Sequence, residues 1–201
     1  IFLSNSVIGN AFNANVFTND KENSVGSPVT LEHTIIKNSL DVGVHTTGQE
    51  HSFIKALNSS IYGNAGNGIK TENQSPVVVD FSTIAYNGEE GVYSGGGYST
   101  LNNSIICNNN SYGFYGGEDL FEDFYNYTGP CGPLQFADST GTLTANSPAV
   151  DFGAPYLHDG NMPPGIGLIR SDIGVYGGPD NGGWGGDTIP NGSAIIDHIV
   201  D

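Results

Sequence analysis

Lysine and arginine are nearly missing from this chain, 5 in 201 residues against 21 aspartates and glutamates, for a formal net charge of -16. So acidic a chain has no basic patch with which to release counterions from nucleic acid or an anionic membrane, and nucleic acid is excluded as a partner. Charge of either sign is thin at 13% of residues, and Gly 30 and Pro 10 with many Asn and Ser are poor material for amphipathic helices. No apolar run approaches the ~20 residues of a spanning helix, and no basic stretch followed by an apolar one opens the chain as a secretory signal does. Neither a membrane span nor a signal is therefore expected in these residues. Two cysteines in 201 residues do not make a small disulfide scaffold, and at this length roughly 70% of the unfolded surface can be buried around one core. Disorder is a poor fit as well, because hydrophobic residues reach 37%, with Tyr 10 and Phe 10. What these absences leave is an extracellular-type protein of strands and turns.

What is present is a repeat. Asn5-Ser6-Val7-Ile8-Gly9-Asn10, His33-Thr34-Ile35-Ile36-Lys37-Asn38, Ser59-Ser60-Ile61-Tyr62-Gly63-Asn64, Ser82-Thr83-Ile84-Ala85-Tyr86-Asn87 and Asn103-Ser104-Ile105-Ile106-Cys107-Asn108 share a hydroxyl, a β-branched residue and a final Asn. The final Asn recurs after 28, 26, 23 and 21 residues, the length of one solenoid coil with loops of varying size. The expected fold is all-β: a right-handed parallel β-helix of about five to seven coils, stacked at the ~4.8 Å strand spacing. Val7, Ile35, Ile61, Ile84 and Ile105 are expected to stack as one internal column, which suits β-branched side chains. Asn10, Asn38, Asn64, Asn87 and Asn108 are expected to form an asparagine ladder, since an amide both donates and accepts. Leu3, Leu31, Leu57 and Leu101 mark an earlier strand in four coils, with the fourth coil out of phase at Val79 and Phe81. After four of the five Asn a glycine is expected to restart a strand through a positive φ, in Gly43-Val44, Gly68-Ile69, Gly91-Val92 and Gly113-Phe114, with Asn15-Val16 as the looser first copy. A Greek-key sandwich has no reason to repeat such a motif at coil spacing.

These coils resemble the parallel β-helix repeat proteins of the pectin-lyase-like superfamily. Ser147-Pro148-Ala149-Val150-Asp151-Phe152-Gly153, followed by Ile169-Arg170-Ser171-Asp172-Ile173-Gly174-Val175-Tyr176-Gly177-Gly178, resembles the closing element of many secreted bacterial β-helix proteins. The resemblance implies a secreted or cell-surface protein, in a family where some relatives act on polysaccharides. Residues 1–178 are read as the β-helix, with the closing element from about 134, and 179–201 as a Gly-rich extension. Leu3 already occupies a coil position, so further coils or another chain are expected against the open edge at Ile1.

Five groups of residues are candidates for chemistry. Cys107 and Cys131 are 24 residues apart, about one coil, and a disulfide is favoured over two free thiols. Gly182 to Pro190 fits a calcium-binding nonapeptide with Asp187 as its carboxylate, but as a single copy it reads first as a connector. No cofactor is required by any motif, and calcium is the one ion that the acidic composition favours. Asp41 and Glu89, with Glu90 beside it, lie on one line two coils apart, at the margin of the carboxyl separation for inverting hydrolysis. The few bases do not cluster, so catalysis is the lesser reading. Phe17, His45, Lys70, Tyr93 and Tyr115 each follow an inward apolar residue, so alternation turns them outward into one column, a platform for a glycan or another surface protein. Asp151, Arg170 and Asp172 read as architectural, with Arg170 pairing with one of the acids. The function expected is a non-catalytic extracellular module such as a stalk, adhesin or matrix component, with glycan binding. The alternative is a polysaccharide lyase or glycosidase.

Overall fold

Each repeat folds into three short strands separated by tight bends. The structure, a computed structural model, describes residues 1–19, 26–48, 52–116, 121–161, 164–168 and 170–184. Strands β1 (Phe2–Ser4), β2 (Val7–Gly9) and β3 (Ala14–Thr18) form the first coil, and β4 (Val29–Glu32), β5 (Ile35–Lys37) and β6 (Val42–Thr46) the second. The third holds β7 (Ile54–Leu57), β8 (Ser60–Tyr62) and β9 (Ile69–Thr71), and the fourth β10 (Val77–Asp80), β11 (Thr83–Ala85) and β12 (Val92–Ser94). The fifth holds β13 (Ser99–Asn102), β14 (Ile105–Cys107) and β15 (Phe114–Tyr115), while β16 (Phe121–Phe124) and β17 (Tyr127–Gly129) begin a sixth. Stacking generates three parallel sheets: A of six strands from β1 to β16, B of six from β2 to β17, and C of five from β3 to β15. The molecule is thus an all-β parallel solenoid, as the repeat predicts.

The register differs from the expected one by a residue. Sheet B pairs Ile8, Ile36, Ile61, Ile84 and Ile106 as its inward column, while Val7, Ile35, Ser60, Thr83 and Ile105 face outward. Of the expected column, only Ile61 and Ile84 point into the core. The third and fourth coils carry two hydroxyls before the isoleucine, which moves their motif one position relative to the others. In sheet A the out-of-phase coil is the third, where Ala56 rather than Leu57 stacks between Leu31 and Val79.

Backbone chemistry fixes the bend between sheets A and B. Asn5, His33, Asn58, Phe81, Asn103 and Tyr125 adopt left-handed φ of 42 to 55° there. In the first five coils the residue that follows carries a hydroxyl, and from Ser59 to Ser104 its oxygen accepts from the equivalent backbone N–H one coil back: Thr34 to Ser59 Oγ (3.2 Å), Ser59 to Ser82 Oγ (3.1 Å) and Ser82 to Ser104 Oγ (3.1 Å); Asn126 takes this place in the sixth coil, its Oδ1 accepting from Ser104 N–H at 2.7 Å. Each hydroxyl in turn donates to the carbonyl two residues earlier, as Ser82 Oγ does to Asp80 O at 3.0 Å. The bend between sheets B and C has a second left-handed column, Asn10, Asn38, Gly63, Tyr86 and Asn108.

The asparagine ladder stands one residue beyond that column. Asn64 Nδ2 donates to Asn87 Oδ1 and Asn87 Nδ2 to Asn109 Oδ1, each at 2.9 Å. The backbone N–H groups of Ser39, Asn64 and Asn87 donate to the Oδ1 of Asn64, Asn87 and Asn109 at 3.0 to 3.1 Å. Asn15 closes the series, reaching from β3 to Asn64 Oδ1 at 3.1 Å. Only Asn64 and Asn87 of the expected set belong to it. Asn10, Asn38 and Asn108 occupy the left-handed corner instead, which a short polar side chain tolerates. Gly43, Gly68 and Gly91 do not have positive φ. They are small because an added Cβ would come within 2.7 to 2.8 Å of the ladder amides of Asn64, Asn87 and Asn109.

The C-terminal segment covers the outer face of sheet B. Leu134, Ala149 and Ile173 pack on Ala85, Ile105 and Cys107, and the Cys107–Cys131 disulfide ties the segment's start to β14 with Cα atoms 5.2 Å apart. Corner residues of the coils hold its far part. Asn58 Nδ2 donates to Val175 O (3.2 Å) and Gly177 O (2.7 Å), and Ala154 N–H donates to Asn103 Oδ1 (2.8 Å). Within the segment, Asp172 accepts N–H groups of Asp151 (2.9 Å) and Ile166 (3.0 Å), and Asp159 accepts those of Asp172 and Gly178. Arg170 pairs with neither acid; its Nε and Nη2 donate to the carbonyls of Gly153 (2.6 Å) and Phe152 (3.2 Å). Burial outweighs the backbone N–H groups at these acids and pushes Asp159 up to about 6 and Asp172 up to about 7.

Three outcomes follow from these contacts. Asn87→Ala orphans hydrogen-bonding partners in the third and fifth coils and lowers stability by about 3 kcal/mol, whereas Asn38→Gly, at an exposed left-handed corner, changes it by about 1 kcal/mol or less; chemical denaturation compares the two. Breaking the disulfide with Cys131→Ser costs about 3 kcal/mol by loop entropy, read as a lower melting temperature under oxidising conditions. Because the folded state raises the affinity of Asp172 for its proton, its stabilising effect is full at low pH and lost as pH rises towards about 7. Melting temperature should therefore fall between pH about 4 and about 8, with a shallower slope in Asp172→Asn.

Candidate ligand-binding groove

Sheet C alternates strictly. Val16, Val44, Ile69 and Val92 point into the core, so the residues that follow them point out. The register pairs Phe17 with His45, His45 with Lys70, Lys70 with Tyr93 and Tyr93 with Tyr115, which places the five expected residues in one outward file.

Their contacts make the file a chain of partners more than an open platform. Phe17 meets the His45 ring edge-on at 5.3 Å. Lys70 Nζ stands 5.9 Å from the centroid of the Tyr93 ring, and Tyr93 stacks on Tyr115 at 5.3 Å with planes 14° apart. Neighbouring coils therefore occupy both faces of the Tyr93 ring. The exposed aromatic surface lies at the end of the file, where Tyr115 and Tyr112, 50% and 65% exposed, sit 6.1 Å apart.

Glu72, two residues past Lys70 and just beyond the end of its strand, is the residue that sequence reasoning missed. The alternation that selected Lys70 also selects it. Its Oε1 takes Lys70 Nζ at 3.0 Å and stands 3.5 Å from His45 Nε2. The Lys70 hydrogen bond is the largest influence holding the Glu72 carboxyl below its ordinary value. Burial holds His45 below the usual imidazole value, with the Lys70 charge adding to the effect and Glu72 opposing it.

Beside this file an open groove of about 680 Å³ crosses the third, fourth and fifth coils. Lys70, Glu72 and Tyr93 line it together with Glu89, Glu90 and Ser111 and the amides of Asn67, Asn73 and Asn110. The expected acidic line exists in the backbone, since Gly66 N–H donates to Asp41 O (2.7 Å) and Glu89 N–H to Gly66 O (3.2 Å). Glu89 and Glu90 line the groove and Asp41 does not. Glu90 is fixed by Asn67 Nδ2 on Oε2 (2.7 Å) and by Ser111 Oγ on Oε1 (2.8 Å). The groove is therefore rich in amides and carboxylates able to bond hydroxyl groups, flanked by a cation and two exposed phenol rings. Asp187 lies outside the described residues.

Compared with known protein families, curated protein sequences and solved structures, the chain matches none.

Proposed function

We propose that this chain is a non-catalytic, extracellular β-solenoid module of pectin-lyase-like architecture that binds glycans on the outer face of sheet C. The observation that carries this reading is the groove lined by Lys70, Tyr93, Glu89 and Glu90, with the exposed Tyr115 and Tyr112 adjoining it through the stacked Tyr93. Planar amides and carboxylates match the hydroxyl pairs of sugar rings, and exposed tyrosines match their apolar faces. A surface stalk, adhesin or matrix component uses such a site for attachment. Resemblance of 147–153 and 169–178 to the closing element of secreted β-helix proteins supports the extracellular setting.

Hydrolysis of polysaccharide is the second reading, and Glu89 favours it, being an exposed carboxylate on the groove wall. Retaining or inverting chemistry needs a second carboxyl held opposite it as acid, base or nucleophile. Glu90, already engaged by Asn67 and Ser111, is better placed to orient a ligand than to exchange a proton.

A glycan array combined with a reducing-end release assay tests both readings. Binding without release is expected, with Tyr112→Ala/Tyr115→Ala weakening affinity about tenfold through the lost ring contacts. Unchanged affinity in that double variant would retire the platform, and release abolished by Glu89→Gln would establish hydrolysis.

A further inference from the structure

His45 is the least comfortable polar group on the sheet C face. Its Nε2 is buried without a hydrogen bond, and Glu72 Oε1, 3.5 Å away, is already held by Lys70 Nζ at 3.0 Å. The ring cannot relax away, because Phe17 stands against it from the preceding coil. Among the described residues, the charged groups that act on it are Lys70 from β9, Glu72 just past the end of that strand and Asp41 from the turn before its own strand; β3 contributes Phe17, which has no charge.

Two cationic side chains thus compete for one carboxylate oxygen. While the imidazole is neutral, Lys70 holds that oxygen and stands over Tyr93. Adding a proton to His45 turns the long Nε2 contact into a charge-assisted hydrogen bond and sets a second positive charge beside Lys70. We propose that His45 is a proton-operated switch for the groove: protonated, it takes Glu72 as its partner and releases Lys70 towards an anionic ligand. The proton comes from solvent, and no bond other than N–H is made.

The directions of titration agree. His45 lies below the ordinary imidazole value and Glu72 below the ordinary carboxylate value, so between those two ranges His45 is the member of the trio that changes charge. Lys70 and Glu72 both line the groove, so the switch rests on the reading of that groove as a glycan site. Its consequence is a change of preference. As pH falls, affinity for a hexuronate oligomer rises relative to a neutral hexose oligomer of the same length.

The test has one arm without ligand and one with it. In the unliganded full chain, NMR signals of the Tyr93 ring and the Lys70 ε-methylene should titrate with the His45 midpoint, and His45→Gln should abolish that step. In binding measurements at pH about 7.5 and about 5, the hexuronate-to-hexose affinity ratio should rise about fivefold in the parent protein and stay flat in His45→Gln. Tyr93 and Lys70 signals that ignore the His45 transition would overturn the switch whether or not any glycan binds, as would an unchanged ratio. Coupled titration with no glycan bound at either pH would support the switch and sink the glycan reading instead.

Discussion

Hydrogen bonds that run along the coil axis at the bends are the constraint on which the rest depends. A parallel strand of three or four residues satisfies its own backbone groups against its neighbours, but a tight bend leaves N–H groups directed along the axis. Here side chains of the next coil accept them. The hydroxyls of Ser59, Ser82 and Ser104 serve the first bend, and the amides of Asn64, Asn87 and Asn109 serve the second. Each ladder residue bonds to coils other than its own, so one substitution is felt in several. The ladders also dictate composition: Gly43, Gly68 and Gly91 leave room for the amides, and an Asn in the left-handed corner lowers the strain of the turn.

With the bends fixed, the three faces diverge. Sheet B mixes apolar residues such as Ile35 and Ile105 with Ser60 and Thr83 on its outer side, and the C-terminal segment covers that side through the disulfide and the cluster around Ile105 and Ile173. On sheet C the outer file mixes aromatic and charged side chains that contact one another from coil to coil. Because the strands beneath are locked in register, Lys70, Glu72 and Tyr93 keep fixed spacings, and this is how a solenoid with little regular structure beyond short strands presents a shaped groove.

The sequence carried the architecture because its period is physical: one hydroxyl and one Asn per coil are what each turn of a stacked chain requires. Cys107 and Cys131 were legible for the same reason, being one coil apart. The exact register was not. Ile35-Ile36 and Ile105-Ile106 are buried on both faces, so alternation could not say which member points inward. The final Asn of the motif was ambiguous for a similar reason, since a left-handed corner and an amide ladder one residue apart both favour asparagine. Of the groove, the outward file followed from strand alternation, but Glu72 needed one further step of the same rule, and the shielding of the Tyr93 ring by its neighbours depends on side-chain packing that periodicity does not encode. Arg170 was expected beside an acid because opposite charges attract. In the fold, the carbonyls of Phe152 and Gly153 lie closer and need a donor.

Native-state amide hydrogen exchange tests the central claim most directly. If axial side-chain bonds hold the bends, the N–H groups of Thr34, Ser59 and Ser82 and of Ser39, Asn64 and Asn87 open only with the strands, and their protection equals that of Ile61 and Ile84. Exchange of these six at the rate of an unstructured peptide, while Ile61 and Ile84 stay protected, would contradict it.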